Sequence, residues 1–455
     1  MVAADGIVWR GEAGYEELRR RLVWNARLPG RYPAAIVRAH DRDEVVAAVA
    51  RAREVGLRVA LRSGGHSWYA AALRDGAVLL DLSGLHDLSI DAAAGLMTVG
   101  PGLTSGALSA ALAERGLGFP VGHCRDVGLG GYLLAGGLGW NGGAWGPACH
   151  SVVAVEAVTA GGETIVADES HHADLLWAAR GAGPGFFAAV TSFRARVFAA
   201  PGCTAMSSFA YPQAMLGEVA SWVAELAPTL DRRLELTLFL GAAPASLGAL
   251  GIAAGEPVVV VAAVAFGAAR DECDVLLAPF ERGIGRHGLL ESEARRETPQ
   301  HVLYEAAGAR LPAGRQYAVD CLFSDARPER VLEALGAALG AAPSASSWIL
   351  VTVAPAQPPA VPAAPAAFAP LGRLSASLYA VWDDPACATV NLAWLRETVC
   401  ALEPLTAGSY AGEADLVGRP GAAAGCYRPA AWRRLHAVRE RYDPDRLFAG
   451  YPELD

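Results

Sequence analysis

Residues 1–200 alternate short apolar runs with amphipathic segments, a pattern that predicts strands and helices sharing one core. Residues 43–56 place Val45, Val49 and Ala52 on one helical face, so this segment is predicted to be a helix. It leads into residues 57–62, whose alternating apolar side chains predict a strand. Further strands are predicted at residues 76–82, 95–99, 152–159 and 164–167, the last two joined as a hairpin, and further helices at residues 106–115 and 174–180.

The pattern changes after Pro201-Gly202, which marks a predicted domain boundary. Beyond it, alanine-rich amphipathic helices alternate with β-rich runs at residues 234–240 and 257–266. Residues 355–370 are rich in proline and alanine and are predicted to form an extended surface loop. An arginine-rich helix is predicted over residues 430–441, because Pro444 cannot continue it. The length of 455 residues exceeds that of a usual single core, so two domains are predicted.

Composition favours a globular protein with a small-molecule partner. Of the 455 residues, 53% are hydrophobic and only 19% are charged, which favours a packed core over disorder. The net charge of −9 argues against nucleic acid as a partner, because phosphate binding requires a basic face. The 38 basic residues are all arginine, so chemistry that requires a lysine, such as Schiff-base or P-loop catalysis, is excluded.

Neither export nor membrane association is expected from the sequence. Residues 1–12 lack a basic segment followed by an apolar one, and no apolar stretch reaches the roughly 18 residues of a spanning helix. A cytoplasmic location is therefore expected. The eight cysteines are scattered without a Cys-x-x-Cys pair, and His171-His172 lacks ligands at suitable spacing, so no metal is predicted.

Two glycine-rich loops each carry a nucleophilic side chain. The first is Arg62-Ser63-Gly64-Gly65-His66-Ser67, which follows a predicted strand and places His66 on backbone that can approach a ligand closely. The second is Gly122-His123-Cys124-Arg125-Asp126-Val127-Gly128-Leu129-Gly130-Gly131. Taken alone, His66 is more simply a turn histidine and Cys124 a small buried hydrophobe. Together they are an unusual pair.

These loops resemble the attachment motifs of flavin-linked oxidases of the berberine-bridge-enzyme type, within the vanillyl-alcohol-oxidase/PCMH superfamily. The resemblance extends over nearly the whole chain, and it includes Gly136-Gly137-Leu138-Gly139-Trp140 and Tyr442-Asp443-Pro444-Asp445-Arg446-Leu447-Phe448. It implies a two-domain α+β architecture, with a PCMH-type FAD-binding fold and a sheet-and-helix substrate domain. The implied divisions are residues 1–201 for the N-terminal part of the FAD-binding domain, 202–403 for the substrate-binding domain, and 404–455 for a C-terminal segment that returns to the FAD-binding domain.

The resemblance also implies bicovalent FAD, attached through His66 to the flavin 8α carbon and through Cys124 to C6. The glycines would let backbone N–H groups approach the pyrophosphate. A Rossmann loop is the alternative for residues 128–131, but the preceding strand, the helix opening at the loop and the later acidic residue are not evident. The implied cofactor-binding residues are His66, Cys124, Arg62, Ser63, Gly64, Gly65, Ser67, Gly122, Val127, Gly128, Gly130, Gly131, Gly137 and Tyr427.

Tyr410 is the implied catalytic base, because Gly408-Ser409-Tyr410 resembles the family's approach to its Tyr-x-Asn motif. A tyrosine with an ordinary pKa of about 10 is a poor base at neutral pH, so a neighbouring cation or hydrogen-bond donor must lower the pKa. The expected helpers are Arg396, Tyr379 and Tyr427. A tyrosine at an interface, satisfied by one hydrogen bond, is the alternative.

Three amides of the family pattern are missing near this tyrosine. Gly412 and Ala431 stand where asparagines are expected, and the expected glutamine is absent near Tyr451-Pro452. Such amides contact the flavin or its surroundings in the resembled family. Their absence indicates either an altered ring environment or compositional drift in a chain that is poor in asparagine.

The predicted function is an FAD-dependent oxidase that acts on a secondary-metabolite-type substrate. The resemblance implies that Tyr410 removes a proton from a bulky alcohol or related group, that a hydride moves to the flavin, and that dioxygen is reduced to hydrogen peroxide. The alternative is a flavoprotein cyclase or lyase that uses the same pocket without net redox turnover, and the missing amides keep it open. Neither the substrate nor the oligomeric state is predicted.

Overall fold

The computed structural model has two sheets in the N-terminal part of the chain, and it describes residues 6–243, 255–281, 283–285, 287–419 and 421–451. Strands in this part are β1 (Ile7–Trp9), β2 (Ala35–Arg38), β3 (Val59–Arg62), β4 (Val78–Asp81), β5 (Leu88–Asp91), β6 (Leu96–Val99), β7 (Leu117–Gly118), β8 (Val152–Val158), β9 (Thr164–Ala167), β10 (Ala189–Arg196) and β11 (Phe198–Ala199). Helices are α1 (Tyr15–Arg21), α2 (Arg42–Glu54), α3 (Ser105–Ala113), α4 (Leu129–Ala135), α5 (Gly142–Trp145) and α6 (Ala173–Ala179).

The first sheet has the order β1-β2-β4-β3, and its last three strands are parallel. Helix α2 begins where the Asp41 side chain accepts a hydrogen bond from the Glu44 amide at 2.9 Å. Its apolar face packs on this sheet, with Val45 and Val49 fully buried against Leu80. Because parallel strands end at the same edge, the loops after β3 and β4 lie side by side.

The second sheet is antiparallel, in the order β5-β6-β10-β8-β9. The predicted hairpin of residues 152–167 is confirmed as β8 and β9, with Val158 paired to Thr164. A core that includes Phe187 and Phe193, both less than 2% exposed, packs this sheet against α3, α4 and α6. Strands β7 and β11 form a separate two-stranded ribbon.

A seven-stranded antiparallel sheet dominates the middle of the chain. Its strands are β12 (Cys203–Pro212), β13 (Leu234–Ala242), β14 (Pro257–Gly267), β15 (Glu291–Glu297), β16 (Gln316–Ser324), β17 (Trp348–Val353) and β18 (Leu374–Trp382), in the order β15-β12-β14-β13-β17-β18-β16. The remaining helices are α7 (Leu216–Leu226), α8 (Arg270–Leu277), α9 (Gln300–Ala309), α10 (Pro328–Gly340), α11 (Ala388–Leu402), α12 (Ala422–Gly425) and α13 (Pro429–Tyr442).

The two faces of this sheet differ because side chains alternate along a strand. Leu236, Leu238 and Leu240 of β13 are fully buried on the face that α7, α8, α10 and α11 cover. Glu235 and Thr237, between them along the strand, line a cavity on the opposite face. The sheet therefore contributes polar side chains to a site while its other face forms a core.

The C-terminal segment returns to the first sheet. Val59 of β3 donates to the Leu447 carbonyl oxygen and accepts from the Ala449 amide, both at 2.8 Å. Farther on, the Tyr451 hydroxyl donates to the Ala182 carbonyl oxygen at 2.6 Å. The chain end thus contacts the N-terminal part of the fold, while the three domain limits given above stay a prediction.

The helices and strands named from the sequence are confirmed within a few residues, but two loop predictions are wrong in part. Residues 355–370 form no helix or strand, as expected, yet Phe368 is buried and donates its amide to the Arg180 carbonyl oxygen at 3.0 Å. A side chain at Gly136 or Gly181 would overlap Phe368, so the absence of a side chain at these glycines leaves the space that Phe368 fills.

The second correction concerns the glycine loop of residues 128–131. A helix, α4, begins directly after Gly128, although no helix was evident there from the sequence.

No helix in the described ranges combines the length and the apolarity needed to cross a bilayer.

Candidate functional site

A cavity of about 780 Å³ lies between the two glycine loops and the polar face of the seven-stranded sheet. Both predicted attachment residues, His66 and Cys124, line it, and so does Tyr410. The cavity also takes in Glu235 and Glu413, which the sequence interpretation did not single out. Side chains separated by hundreds of residues in the sequence therefore meet at one place large enough for a small-molecule ligand.

The two glycine loops touch at Gly64 and Gly128. A Cβ on Gly64 would overlap the Gly128 backbone nitrogen, and a Cβ on Gly128 would overlap Gly64 in turn. The Ser63 hydroxyl donates to the Pro101 carbonyl oxygen at 2.5 Å. Gly65 adopts a φ of 71°, in the left-handed region that favours glycine. These contacts bring the backbone carrying His66 next to the backbone that leads into α4.

Substitution of Gly64 by alanine is expected to destabilise the protein by about 1 to 3 kcal/mol, because the new methyl group would collide with backbone atoms that cannot rotate away. Gly131 is the matched control, because a Cβ there meets nothing within 4 Å. Urea unfolding of the two variants measures the difference. Equal stability of Gly64→Ala and Gly131→Ala would show that the loops do not meet as described.

Asp81 holds the first glycine loop in place through Arg62, the first residue of that loop. Its carboxylate accepts from Arg62 Nη1 and from Arg38 Nε, both at 3.0 Å, and from the Ser83 hydroxyl at 2.9 Å. Arg62 in turn donates to the Gly64 carbonyl oxygen at 3.1 Å. The Asp81 side chain is 1% exposed, so this is a buried ion pair whose role is to hold the loop.

His66 has the protonation state that a nucleophile requires. Its ring stacks on Trp24, with the ring centroids 5.3 Å apart. Burial lowers the pKa of His66 to about 4, and the charge of Asp126 opposes this only in part. The imidazole is therefore neutral at pH 7, with a nitrogen lone pair available for bond formation.

Cys124 is a free, half-buried thiol. Burial raises the pKa of this thiol, and a hydrogen bond from the backbone of Asp126 acts in the opposite direction. The thiol form is therefore favoured at neutral pH in the protein as described here. The flanking residues Arg125 and Asp126 are both exposed.

Most of the remaining predicted cofactor-binding residues also line the cavity. They are Arg62, Ser63, Gly64, Gly65, Ser67, Gly122, Val127, Gly128, Gly130 and Gly131. Gly137 and Tyr427 do not border it. Gly137 donates its amide to the Tyr410 hydroxyl oxygen at 3.2 Å, and the buried Tyr427 hydroxyl donates to the Gly181 carbonyl oxygen at 3.0 Å. These two residues therefore support the walls of the cavity.

Tyr410 does not have the environment that was expected of it. Burial, and then the nearby Glu413 carboxylate, raise the pKa of Tyr410 above its ordinary value, although hydrogen bonds from the Gly137 and Leu138 backbone act in the opposite direction. None of the three expected helpers supplies a charge to it. Tyr379 binds Glu413, Tyr427 binds Gly181, and Arg396 lies beside Gly418.

The missing asparagine at position 412 has a steric reason. A Cβ on Gly412 would come within 2.6 Å of the Tyr410 ring, so any side chain here would displace the tyrosine from its present position. Ala431, at the other missing asparagine, packs against the N-terminal core. Tyr451 is described, while the neighbouring Pro452 lies outside the described residues.

His123 and Glu235 form a second pair in the cavity. His123 Nε2 lies 2.6 Å from Glu235 Oε1, and the imidazole packs edge-on against Trp140 at a centroid distance of 4.2 Å. Burial alone would lower the pKa of His123, but the charges of Glu235 and Glu413 raise it above its ordinary value. The adjacency of His123 to Cys124 was the only sequence signal for this pair.

Glu235→Gln is expected to lower the pKa of His123, because it removes the charge that stabilises the imidazolium. In the native protein the pair stabilises the fold below a pH of about 6.5, and this contribution is lost as the pH rises through the raised pKa of His123. NMR titration of the histidine Cε1–H signals, assigned with His123→Gln, measures the shift. An unchanged His123 pKa in Glu235→Gln would contradict the pairing.

Comparison with known proteins gives a family match and curated relatives, one of which aligns over nearly its whole length. An FAD binding domain model matches residues 33–168. The FAD-linked oxidoreductase nodO of Hypoxylon pulicicidum is 31% identical over 453 residues, which cover 98% of this chain and 96% of nodO. The FAD-linked oxidoreductase janO of Penicillium janthinellum is 35% identical over 322 residues, or 70% of this chain and 69% of janO.

Solved structures show the same fold. 6-Hydroxy-D-nicotine oxidase from Arthrobacter nicotinovorans aligns with a TM-score of 0.83 at 22% identity, over 99% of this chain and 97% of that one. A berberine-bridge-enzyme-like protein of Physcomitrella patens aligns with a TM-score of 0.83 at 20% identity, over 98% of this chain and 96% of that one. The predicted PCMH-type architecture is thereby confirmed.

Proposed function

The chain belongs to the FAD-linked oxidoreductases, and from this membership we propose that it is an oxidase that holds FAD covalently through both His66 and Cys124 and oxidises a bulky small molecule with dioxygen. That it is an FAD-dependent oxidoreductase follows from the family. The bicovalent attachment, the substrate and the formation of hydrogen peroxide are the proposal. The observation that carries it is that His66 and Cys124 line one cavity together with Tyr410.

The residues present fit FAD. The loops at Gly64 and Gly128 leave no room for side chains where they meet, so the cofactor would face backbone N–H groups rather than side chains. A neutral His66 provides the nucleophilic nitrogen for one attachment, and the half-buried Cys124 provides the sulfur for the other. When bound, FAD supplies the redox chemistry by accepting a hydride from the substrate and passing electrons to dioxygen.

The protein's own contribution is to position the substrate and to manage its protons. The wall opposite the glycine loops includes Val260 and Val264 of β14 and Leu350 of β17, which suit an apolar substrate body. Tyr410 stands at the wall beside Gly137, where its hydroxyl is the proposed proton acceptor. Because its pKa is raised in the described protein, this role requires the bound cofactor and substrate to stabilise the phenolate.

The test is to purify the yellow protein and follow oxygen uptake and peroxide formation with a panel of bulky alcohols and amines. One peroxide formed for each oxygen consumed and each substrate oxidised supports the proposal. A product formed without oxygen uptake would instead support a cyclase or lyase, and a colourless protein from a flavin-replete host would contradict FAD binding.

Tyr410→Phe is expected to slow reduction of the flavin by about a hundredfold or more, because it removes the proposed general base. The visible spectrum should change little, since the ring remains. Anaerobic stopped-flow with a substrate from the oxygen assay measures the rate. Tyr211→Phe, which changes a buried tyrosine in the core of the seven-stranded sheet, is the control. Equal rates for the two variants would remove Tyr410 from the base role.

A further inference from the structure

Glu413 places a carboxylate in the cavity without a cationic partner. One of its oxygens accepts from the Ser377 hydroxyl, and the other accepts from the Tyr379 hydroxyl at 3.2 Å. Ser377 and Tyr379 lie on the face of β18 that lines the cavity. Among the described residues, no arginine or histidine forms an ion pair with Glu413.

The basic side chains that line the cavity contact groups other than Glu413, and Arg74 for example donates to the Gly450 carbonyl oxygen at 2.8 Å. Arg62 is bound to Asp81, and His123 is bound to Glu235. Arg373 donates to the Ala227 carbonyl oxygen at 3.2 Å. Arg310 lies over the ring of Phe239, 5.1 Å from its centroid. The pair of His123 and Glu235 balances its own charge, whereas the Glu413 oxygens accept from uncharged hydroxyl groups and from no cation among the described residues.

We propose that Glu413 binds a protonated amine, so that the substrate of this cavity is a hydrophobic amine held by an ion pair with the Glu413 carboxylate. This inference rests on the proposed oxidase function, which it narrows to one substrate class. An ionised carboxylate only accepts hydrogen bonds, and its strongest partners are cationic N–H donors. Ser377 and Tyr379 donate to the two oxygens and so fix the carboxylate without neutralising it.

The surroundings of Glu413 match the rest of such a molecule. The Trp348 and Tyr379 rings stack with their centroids 3.8 Å apart and form a rigid wall beside the carboxylate. Leu350, on the strand between β13 and β18, continues that wall with aliphatic surface. An apolar body can therefore cover the wall while its nitrogen reaches Glu413.

The electrostatic state of Glu413 favours the same ligand. Burial raises the pKa of its carboxyl, while the Ser377 and Tyr379 hydroxyls and the charge of His123 act in the opposite direction. A bound ammonium would supply the missing counter-charge, whereas an anionic ligand would add repulsion and a neutral alcohol would add only one ordinary hydrogen bond. The cavity thereby discriminates by charge among molecules of similar shape.

Three probes of nearly equal shape test the proposal: 2-phenylethylamine, 2-phenylethanol and 3-phenylpropanoate. Titration calorimetry of the flavin-loaded protein at neutral pH is expected to show the amine binding about tenfold more tightly than the alcohol, and the carboxylate binding most weakly. In Glu413→Gln, which keeps the side-chain shape but removes the charge, the affinities for amine and alcohol should become equal within about twofold.

Two controls keep the outcome unambiguous. Glu256→Gln removes the same charge from an exposed position, and it should preserve the preference for the amine. Unchanged alcohol affinity in Glu413→Gln reports that the cavity is intact. The proposal is overturned if the native protein does not prefer the amine, or if Glu413→Gln keeps the preference. Flavin content and oxygen uptake are measured separately, so failure of the oxidase function is distinguishable from failure of amine recognition.

Discussion

Replacing both His66 and Cys124 with alanine is expected to yield a protein that releases all of its FAD on denaturation, whereas each single replacement retains covalent FAD through the other residue. The reason is geometric: the two side chains reach the same cavity from separate loops, so either can form its bond without the other. The measurement is the intact mass of the denatured protein, together with the visible spectrum of the precipitate and of the supernatant.

His86→Ala and Cys387→Ala are suitable controls, because both residues are exposed and lie outside the cavity lining. Neither change should alter the attached mass. Loss of all covalent FAD in one single variant, with full retention in the other, would show attachment at one residue only. A double variant that still carries FAD would place an attachment site elsewhere in the chain.

Asp81→Ala is expected to destabilise the protein by about 3 to 5 kcal/mol, because it leaves the guanidinium of Arg62 without its counter-charge in a nearly buried position. The same change removes the acceptor of the Arg38 and Ser83 hydrogen bonds. Since Arg62 also holds the Gly64 carbonyl oxygen, the loop that carries His66 should loosen, and covalent attachment at His66 should slow.

Urea unfolding followed by tryptophan fluorescence measures the change in the free energy of unfolding. Trp24 is a suitable probe of this loop because its ring stacks on His66. Asp87→Ala, an exposed carboxylate a few residues away, is the control and should shift stability by no more than about 0.5 kcal/mol. If Asp81→Ala unfolds at the same urea concentration as Asp87→Ala, then the buried pair does not stabilise the loop.

The sequence was sufficient to predict those features that depend only on residues close together along the chain. Glycines at fixed spacing around His66 and Cys124 are readable because each loop is one short segment, and both loops do line the cavity. Helix α2 and the hairpin of β8 and β9 are readable for the same reason, since their hydrophobic periods lie within single elements. Local pattern therefore predicts where backbone bends and which elements form.

The sequence was insufficient to predict those parts of the site that depend on contacts between residues far apart along the chain. Glu235 and His123 lie 112 positions apart and meet because one sheet face borders a loop of the other part of the fold. Glu413 and Ser377 are 36 positions apart. No periodicity relates such residues, and a single acidic residue on a strand has no pattern that separates a cavity wall from solvent.

The charge that acts on Tyr410 was not predictable from the sequence for a related reason. Its likeness to a family motif indicated a base, which implied a nearby cation or hydrogen-bond donor; backbone donors are present, but the charge of Glu413, three residues later, raises the pKa of Tyr410. The Glu413 carboxylate is held by Ser377 and Tyr379 of β18, and such contacts between separate segments are not visible in the order of residues.

The return of the C-terminal segment to β3 constrains the order in which the parts of this protein fold. Residues 390 positions apart meet there, since Arg58 Nη2 donates to the Phe448 carbonyl oxygen at 3.3 Å. Contacts of such long sequence separation form late, because closing the intervening loop costs entropy before any contact compensates for it. While the ribosome is still synthesising the seven-stranded sheet, β3 has no partner at this edge. Completion of this edge of the first sheet therefore requires the C-terminal segment and follows its synthesis.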